Sequence, residues 1–167
     1  MRPFATAVLL LLSSASWAIK PLEPSIKCSL PTTTPVIWQR FENELFSIQI
    51  PPTYEFRAVE SVDSLVGKWV EKTDRPDRAS INFIASKRDK TYAPAEECSE
   101  EIGGGRAITS AGIGPSGRYF VRAKWPDRVG PHSWQVMIWA DTPGPAAQAE
   151  AFAALRSVLL KGKRDDA

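Results

Sequence analysis

An antiparallel, sheet-dominated α+β domain is the fold class this sequence predicts, and two observations predict it. Apolar and polar residues alternate with period two in one segment after another between Val36 and Ala140, with Gly, Pro, Asn and Asp between the segments. The last long segment, Ala146 to Leu160, changes to an Ala- and Leu-rich pattern of helical period. With a short helix expected in mid-chain, this order implies one antiparallel sheet with its helices packed against it.

Residues 1–18 read as a Sec-type signal peptide. Arg2 supplies positive charge, Ala5 to Leu12 is apolar apart from Thr6, and Ser16-Trp17-Ala18 places small residues at −3 and −1 of a cut after Ala18. A cut after Ala15 is the second choice. The apolar run stops at Ser13-Ser14, short of the roughly 20 residues that span a membrane, and no later segment is long or apolar enough, so an integral membrane protein is not expected. Cys28 is separated from that run by Lys20, Glu23 and two prolines, which argues against a lipoprotein signal. Residues 19–35, with Pro21, Pro24, Pro31, Pro35 and a Thr32-Thr33-Thr34 run, read as a Pro-rich extended leader.

A single domain over residues 36–161 follows. Val36 to Phe41 and Leu45 to Ile50 form a hairpin whose second strand buries Phe46, Ile48 and Ile50, and Pro51-Pro52 ends it. Tyr54, Phe56 and Ala58 alternate with Glu55 and Arg57 in a third strand. Leu65 to Lys72 and Ala79 to Ser86 make the next pair, joined by the polar loop Asp74 to Arg78. Pro94 to Ile102 reads as a short helix, with Pro in its first turn, Gly103 after its end, Ala95, Cys98 and Ile102 on one face and Glu96, Glu97, Glu100 and Glu101 outward. Gly103-Gly104-Gly105 then reads as a helix stop and flexible connection before a weak strand at Arg106 to Ala111. After the Gly112 to Gly117 turn, Gly117 to Trp125 is a strand with Tyr119, Val121, Ala123 and Trp125 on one side. Past a Pro126 to Pro131 loop, Ser133 to Ala140 sets Trp134, Val136, Ile138 and Ala140 against Gln135, Met137 and Trp139. Asp141-Thr142-Pro143 starts the terminal helix, with Phe152, Leu155 and Leu159 on one stripe, and residues 162–167 are a charged tail.

Phe46-Ser47-Ile48, followed by Pro51 and Tyr54, resembles the F-S-I-x-x-P-x-x-aromatic opening of PsbP-like and Mog1-like domains, and the element order is similar from about Phe41 to Leu160. The resemblance implies an α/β/α sandwich. It implies no common active site, so no functional residue carries over.

Removing residues 1–18 takes away Arg2 alone among the charged side chains and leaves 20 Lys+Arg against 19 Asp+Glu. That balance argues against a nucleic-acid partner, which calls for a clustered basic excess. Cys28 and Cys98 in an exported chain are most simply a disulfide. It would close a loop of 71 residues, worth roughly 4 kcal/mol in the chain-entropy model. A redox pair wants C-x-x-C spacing, and a metal site wants more ligands than one histidine supplies, so neither metal nor cofactor is expected.

His132, in Gly130-Pro131-His132-Ser133, has no G-x-S-x-G elbow to serve and reads as a surface histidine. Four glutamates on an outer helix face, like Glu60 and Asp63, read as solvated rather than as a glycosidase pair. Gly103 to Gly105 follow a helix instead of preceding one, which argues against a phosphate loop. The candidate binding surface is the polar face of the penultimate strands. Arg118, Arg122 and Lys124 form a row of cations, and Phe120 and Trp139 add rings able to stack with a sugar or an arginine or to help hold an acidic partner. The expected function is a periplasmic or secreted, non-catalytic binding module for a protein or envelope component. An inhibitor or immunity protein against an envelope enzyme is the alternative, and a hydrolase the third choice.

Overall fold

The computed structural model describes residues 38–87, 98–130 and 132–162. The expected signal peptide, the leader with Cys28, Glu96, Glu97 and the end of the tail lie outside the described residues. The elements are β1 (Gln39–Glu42), β2 (Phe46–Ile50), β3 (Tyr54–Ala58), β4 (Ser64–Glu71), β5 (Ser80–Ser86), β6 (Cys98–Ile102), β7 (Gly105–Ile113), β8 (Tyr119–Val129), β9 (Trp134–Thr142), α1 (Pro145–Arg156) and β10 (Leu159–Leu160). Seven strands form one sheet in the order β3-β4-β5-β9-β8-β7-β6, and three form a second in the order β1-β2-β10. Every pairing is antiparallel. Among the described residues no helix is long and apolar enough to cross a membrane.

Period-two alternation decides which face of the large sheet is buried. Trp69, Ile81, Phe83, Ala85, Val121, Ala123, Trp125, Val136, Ile138 and Ala140 all point to one side and are buried. Helix α1 covers that side over β8 and β9, burying Ala151, Phe152, Ala154 and Leu155. The small sheet covers it over β3 to β5 through stacked rings. Phe41 lies 4.9 Å from Phe56 and 5.0 Å from Trp69 between ring centres, and Phe46 meets Phe83 edge-on at 5.3 Å. Helix and small sheet therefore share one face of the large sheet, and the described residues do not form helix layers on both.

Four sequence expectations are corrected, the first being a single sheet, since β1, β2 and β10 form a second one. The segment expected as a helix ending at Ile102 is strand β6 over Cys98–Ile102. Cys98, Glu100 and Ile102 alternate with the exposed Ser99 and Glu101, so the same residues also satisfy a strand period. The glycines after it are the reason that period wins. Gly103 and Gly104 take φ of 65° and 78° between the paired Ile102 and Gly105, a two-residue hairpin turn that needs left-handed backbone at both positions. The loop expected from Pro126 instead continues β8 to Val129, past an irregularity between Trp125 and Val129. Finally, the terminal helix stops at Arg156 rather than Leu160. Ser157 accepts a hydrogen bond at Oγ from Gln49 N at 2.8 Å, Leu159 and Leu160 pair with Ser47 and Phe46, and Lys161 N donates to Leu45 O at 2.7 Å. Pairing with β2 overrides the helical preference of the sequence.

Buried polar groups tie the layers together. Gln148, 5% exposed, donates through Nε2 to the Gly112 and Phe120 carbonyls at 2.9 Å each. Trp125 Nε1 donates to Ile102 O at 3.1 Å. Glu100 accepts from Thr109 Oγ1 at 2.8 Å and forms an ion pair with Arg156 at 3.0 Å, and Arg156 also lies over the Phe152 ring.

Close approach of the two sheets depends on Gly67. A Cβ there would meet Phe83 Cε1 at 2.5 Å and Phe56 Cε2 at 2.8 Å. Gly67→Ala should therefore cost about 1–3 kcal/mol through forced displacement of two rings, read as a lower denaturation midpoint at unchanged m-value. An unchanged midpoint would show that the ring cluster yields freely.

Candidate functional site

The face of the large sheet opposite α1 and the small sheet carries the surface expected from sequence. Strand β8 places Phe120, Arg122 and Lys124 on it, and β9 places Met137 and Trp139 on it. The register sets Arg122 beside Trp139, Lys124 beside Met137 and Phe120 beside Asp141. Arg122 is exposed, with its guanidinium carbon 4.9 Å from the Phe120 ring centre, while Phe120, Lys124 and Trp139 are partly exposed. Gln135, expected beside them, is 9% exposed and donates to Pro126 O at 3.5 Å.

Arg118 is placed differently. Its guanidinium donates to the backbone carbonyls of Asp77, Arg78 and Asp141 at 3.0, 3.1 and 3.3 Å. It clamps the β4–β5 loop to β9, and three carbonyls leave it few donors for a ligand. No sequence pattern marks an arginine that binds backbone carbonyls of a loop 40 residues away.

Sequence reasoning missed the residues that β4, β5 and β7 bring to the same row. Lys68 pairs with Asn82, Asn82 with Trp139, Trp139 with Arg122, and Arg122 with Ser110. Finding them requires knowing that β5 lies against β9, a pairing that alternation within each strand does not encode.

The other candidates are dispersed. His132 is exposed on the β8–β9 turn. Glu101 is exposed opposite Arg106, and Glu100 is held in its ion pair. Glu60 and Asp63 are exposed in the β3–β4 connection. The glycine run serves the β6–β7 turn, with Gly103 O accepting from Leu160 N at 3.2 Å. Among the described residues, no three His, Cys, Asp or Glu side chains are grouped to hold a metal ion, and there is no free cysteine.

Two features have no counterpart in the sequence reading. A cleft of about 440 Å³ is lined by Glu44, Val62, Asp63, Leu65, Lys87 and Trp134. There the Lys87 ammonium lies 5.4 Å from the Trp134 ring centre. The second is a set of acidic groups that act on one another, Tyr54, Glu71 and Glu150 of α1. Burial pushes the Tyr54 hydroxyl well above its ordinary range, helped by the negative charges of Glu150 and Glu71. Burial and Glu71 likewise raise the Glu150 carboxyl.

No known protein family matches this sequence, and no curated protein matches it either.

Two predictions follow from these placements. A raised Glu150 carboxyl holds its proton in the folded state at pH values where the unfolded chain has lost it. Its destabilising charge is thus absent below the unfolded value and grows as pH rises through the raised one. Glu150→Gln should raise Tm at pH 7 and leave it unchanged at pH 3; an equal gain at both would assign the effect to helix propensity. Arg118→Ala should lower stability by about 1–2 kcal/mol, whereas Arg122→Ala should leave the denaturation midpoint in place; the reverse order would exchange their roles.

Proposed function

We propose that this chain is an exported, non-catalytic binding module that engages a protein or envelope component through the open face of its large sheet. The observation that carries this reading is that the two described covering elements pack on one face alone. Helix α1 and the small sheet both pack on one face, while the other presents Lys68, Trp139, Arg122 and Phe120 with no described helix or strand over it. A basic and aromatic strand face over which no described element packs has the composition of a recognition surface. In this reading residues 1–18 direct export to the periplasm or beyond, and Cys28 bonds Cys98 to fasten the leader to edge strand β6. The PsbP-like and Mog1-like resemblance of the Phe46 to Tyr54 opening fits a scaffold without a shared active site.

One observation favours a second reading, an inhibitor or immunity protein. The β3–β4 connection carries Val59 at 43% exposure and a fully exposed Val62, beside Phe56 at 44% on edge strand β3. A protruding apolar loop suits insertion into an enzyme's cleft.

Photo-crosslinking in intact envelopes separates the two. A crosslinker at Asn82 should yield a discrete adduct that is lost on Arg122→Ala/Trp139→Ala substitution, with Tm moved by less than about 2 °C. An adduct formed from Val62 and accompanied by loss of an enzyme's activity would select the inhibitor. Absence of any adduct from Asn82 would overturn the open-face reading, and two alkylatable thiols in unreduced exported protein would overturn the disulfide.

A further inference from the structure

We infer that the open face binds an anionic glycan laid across the strands on the row Arg57, Lys68, Asn82, Trp139 and Arg122. The inference rests on the reading of that face as a binding surface. The row is continuous in register, since Arg57 pairs with Lys68, Lys68 with Asn82, and so on through Trp139 to Arg122. At about 4.8 Å between strands, Trp139 lies roughly 5 Å from the Arg122 position and roughly 10 Å from the Lys68 position. A cation thus stands on each side of one indole.

The charge arrangement opposes the fold's own interest. Arg57 and Lys68 face each other directly, and like charges at such a pair destabilise a sheet. Glu55, which pairs with Arg57, offsets that repulsion in part. The row from Lys68 to Arg122 contains no acidic residue. Asp141 stands in the next row, beside Phe120. Local rules broken without a compensating gain in stability mark functional positions.

The polar groups favour a sugar over an acidic protein. A pyranose offers an apolar C–H face to Trp139, hydroxyls to polar neighbours, and a carboxylate or sulfate to Lys68 or Arg122. Asn82 donates through Nδ2 to Ser80 Oγ at 3.3 Å, which leaves its carbonyl oxygen to accept from a hydroxyl. Arg122 rests on Phe120, so its fork is held in position before a ligand arrives. A protein partner calls instead for a large apolar centre. The large exposed apolar side chains Phe56, Val59, Val62 and Leu159 are all absent from this row.

The experiment is a titration of the mature protein, followed by tryptophan fluorescence, with five probes: an oligogalacturonate, a sulfated dextran oligosaccharide, neutral dextran, a poly-Glu peptide and oligo-dT. Saturable binding to the oligogalacturonate or the sulfated oligosaccharide is expected, weakening with salt, with neutral dextran inert. Preference between the first two identifies carboxylate or sulfate as the anion. Trp139→Ala should weaken binding at least tenfold, and Lys68→Ala and Arg122→Ala at least fivefold each, with Tm retained. No saturable binding to either anionic sugar overturns the inference, as does equal or tighter binding of poly-Glu or oligo-dT, or full affinity in Trp139→Ala. If the glycans fail while the Asn82 crosslink persists, the glycan is excluded and the open-face reading stands.

Discussion

The structure depends on the packing of five rings around Gly67. Phe41 and Phe46 come from the small sheet, and Phe56, Trp69 and Phe83 from the large one. Their centres lie 4.9 to 6.2 Å apart in tilted or edge-on pairs, the separations at which ring quadrupoles attract. The missing side chain at residue 67 admits the Phe83 and Phe56 rings onto the backbone of β4. Without that contact the small sheet, whose strands have two to five residues, has too little hydrogen bonding to stay folded by itself.

Covering of one face by the described elements follows from that arrangement. The small sheet occupies the space over β3, β4 and β5, and α1 occupies the space over β8 and β9, so the apolar side of all the central strands is covered by two different elements. Gln148 fixes the helix by bonding carbonyls of β7 and β8, and the Glu100–Arg156 pair ties its last turn to edge strand β6. Both covering elements lie on the same face, and among the described residues no helix or strand covers the second face, which carries the row centred on Trp139.

Much of this was legible in the sequence where a single strand carried its own signal. The alternation in Tyr119 to Trp125 and in Val136 to Ala140 matched the buried and less buried sides observed, whereas in Tyr54 to Ala58 only Tyr54 is buried, and Ser47 and Gln135 are buried on the sides expected to be polar. The segment ending at Ile102 misled because Ala95, Cys98 and Ile102 fit a helix and Cys98, Glu100 and Ile102 fit a strand; the Gly-Gly pair that follows was the sharper signal. Leu159 and Leu160 misled because their partners in β2 lie more than a hundred residues away. Of the candidate surface, the β8 and β9 members were readable from spacing. Lys68 and Asn82 were not, because strand order is a tertiary property, and Arg118 left the surface because its carbonyl partners sit in a distant loop.

The central position of β2 has a temporal consequence. It is flanked by β1 from the start of the domain and β10 from its end, and Ser157 seals it to Gln49 across 108 residues of chain. The small sheet therefore stays incomplete until residues 157–160 have been made. Contacts of such high sequence separation form late, because the long loop between them must close first.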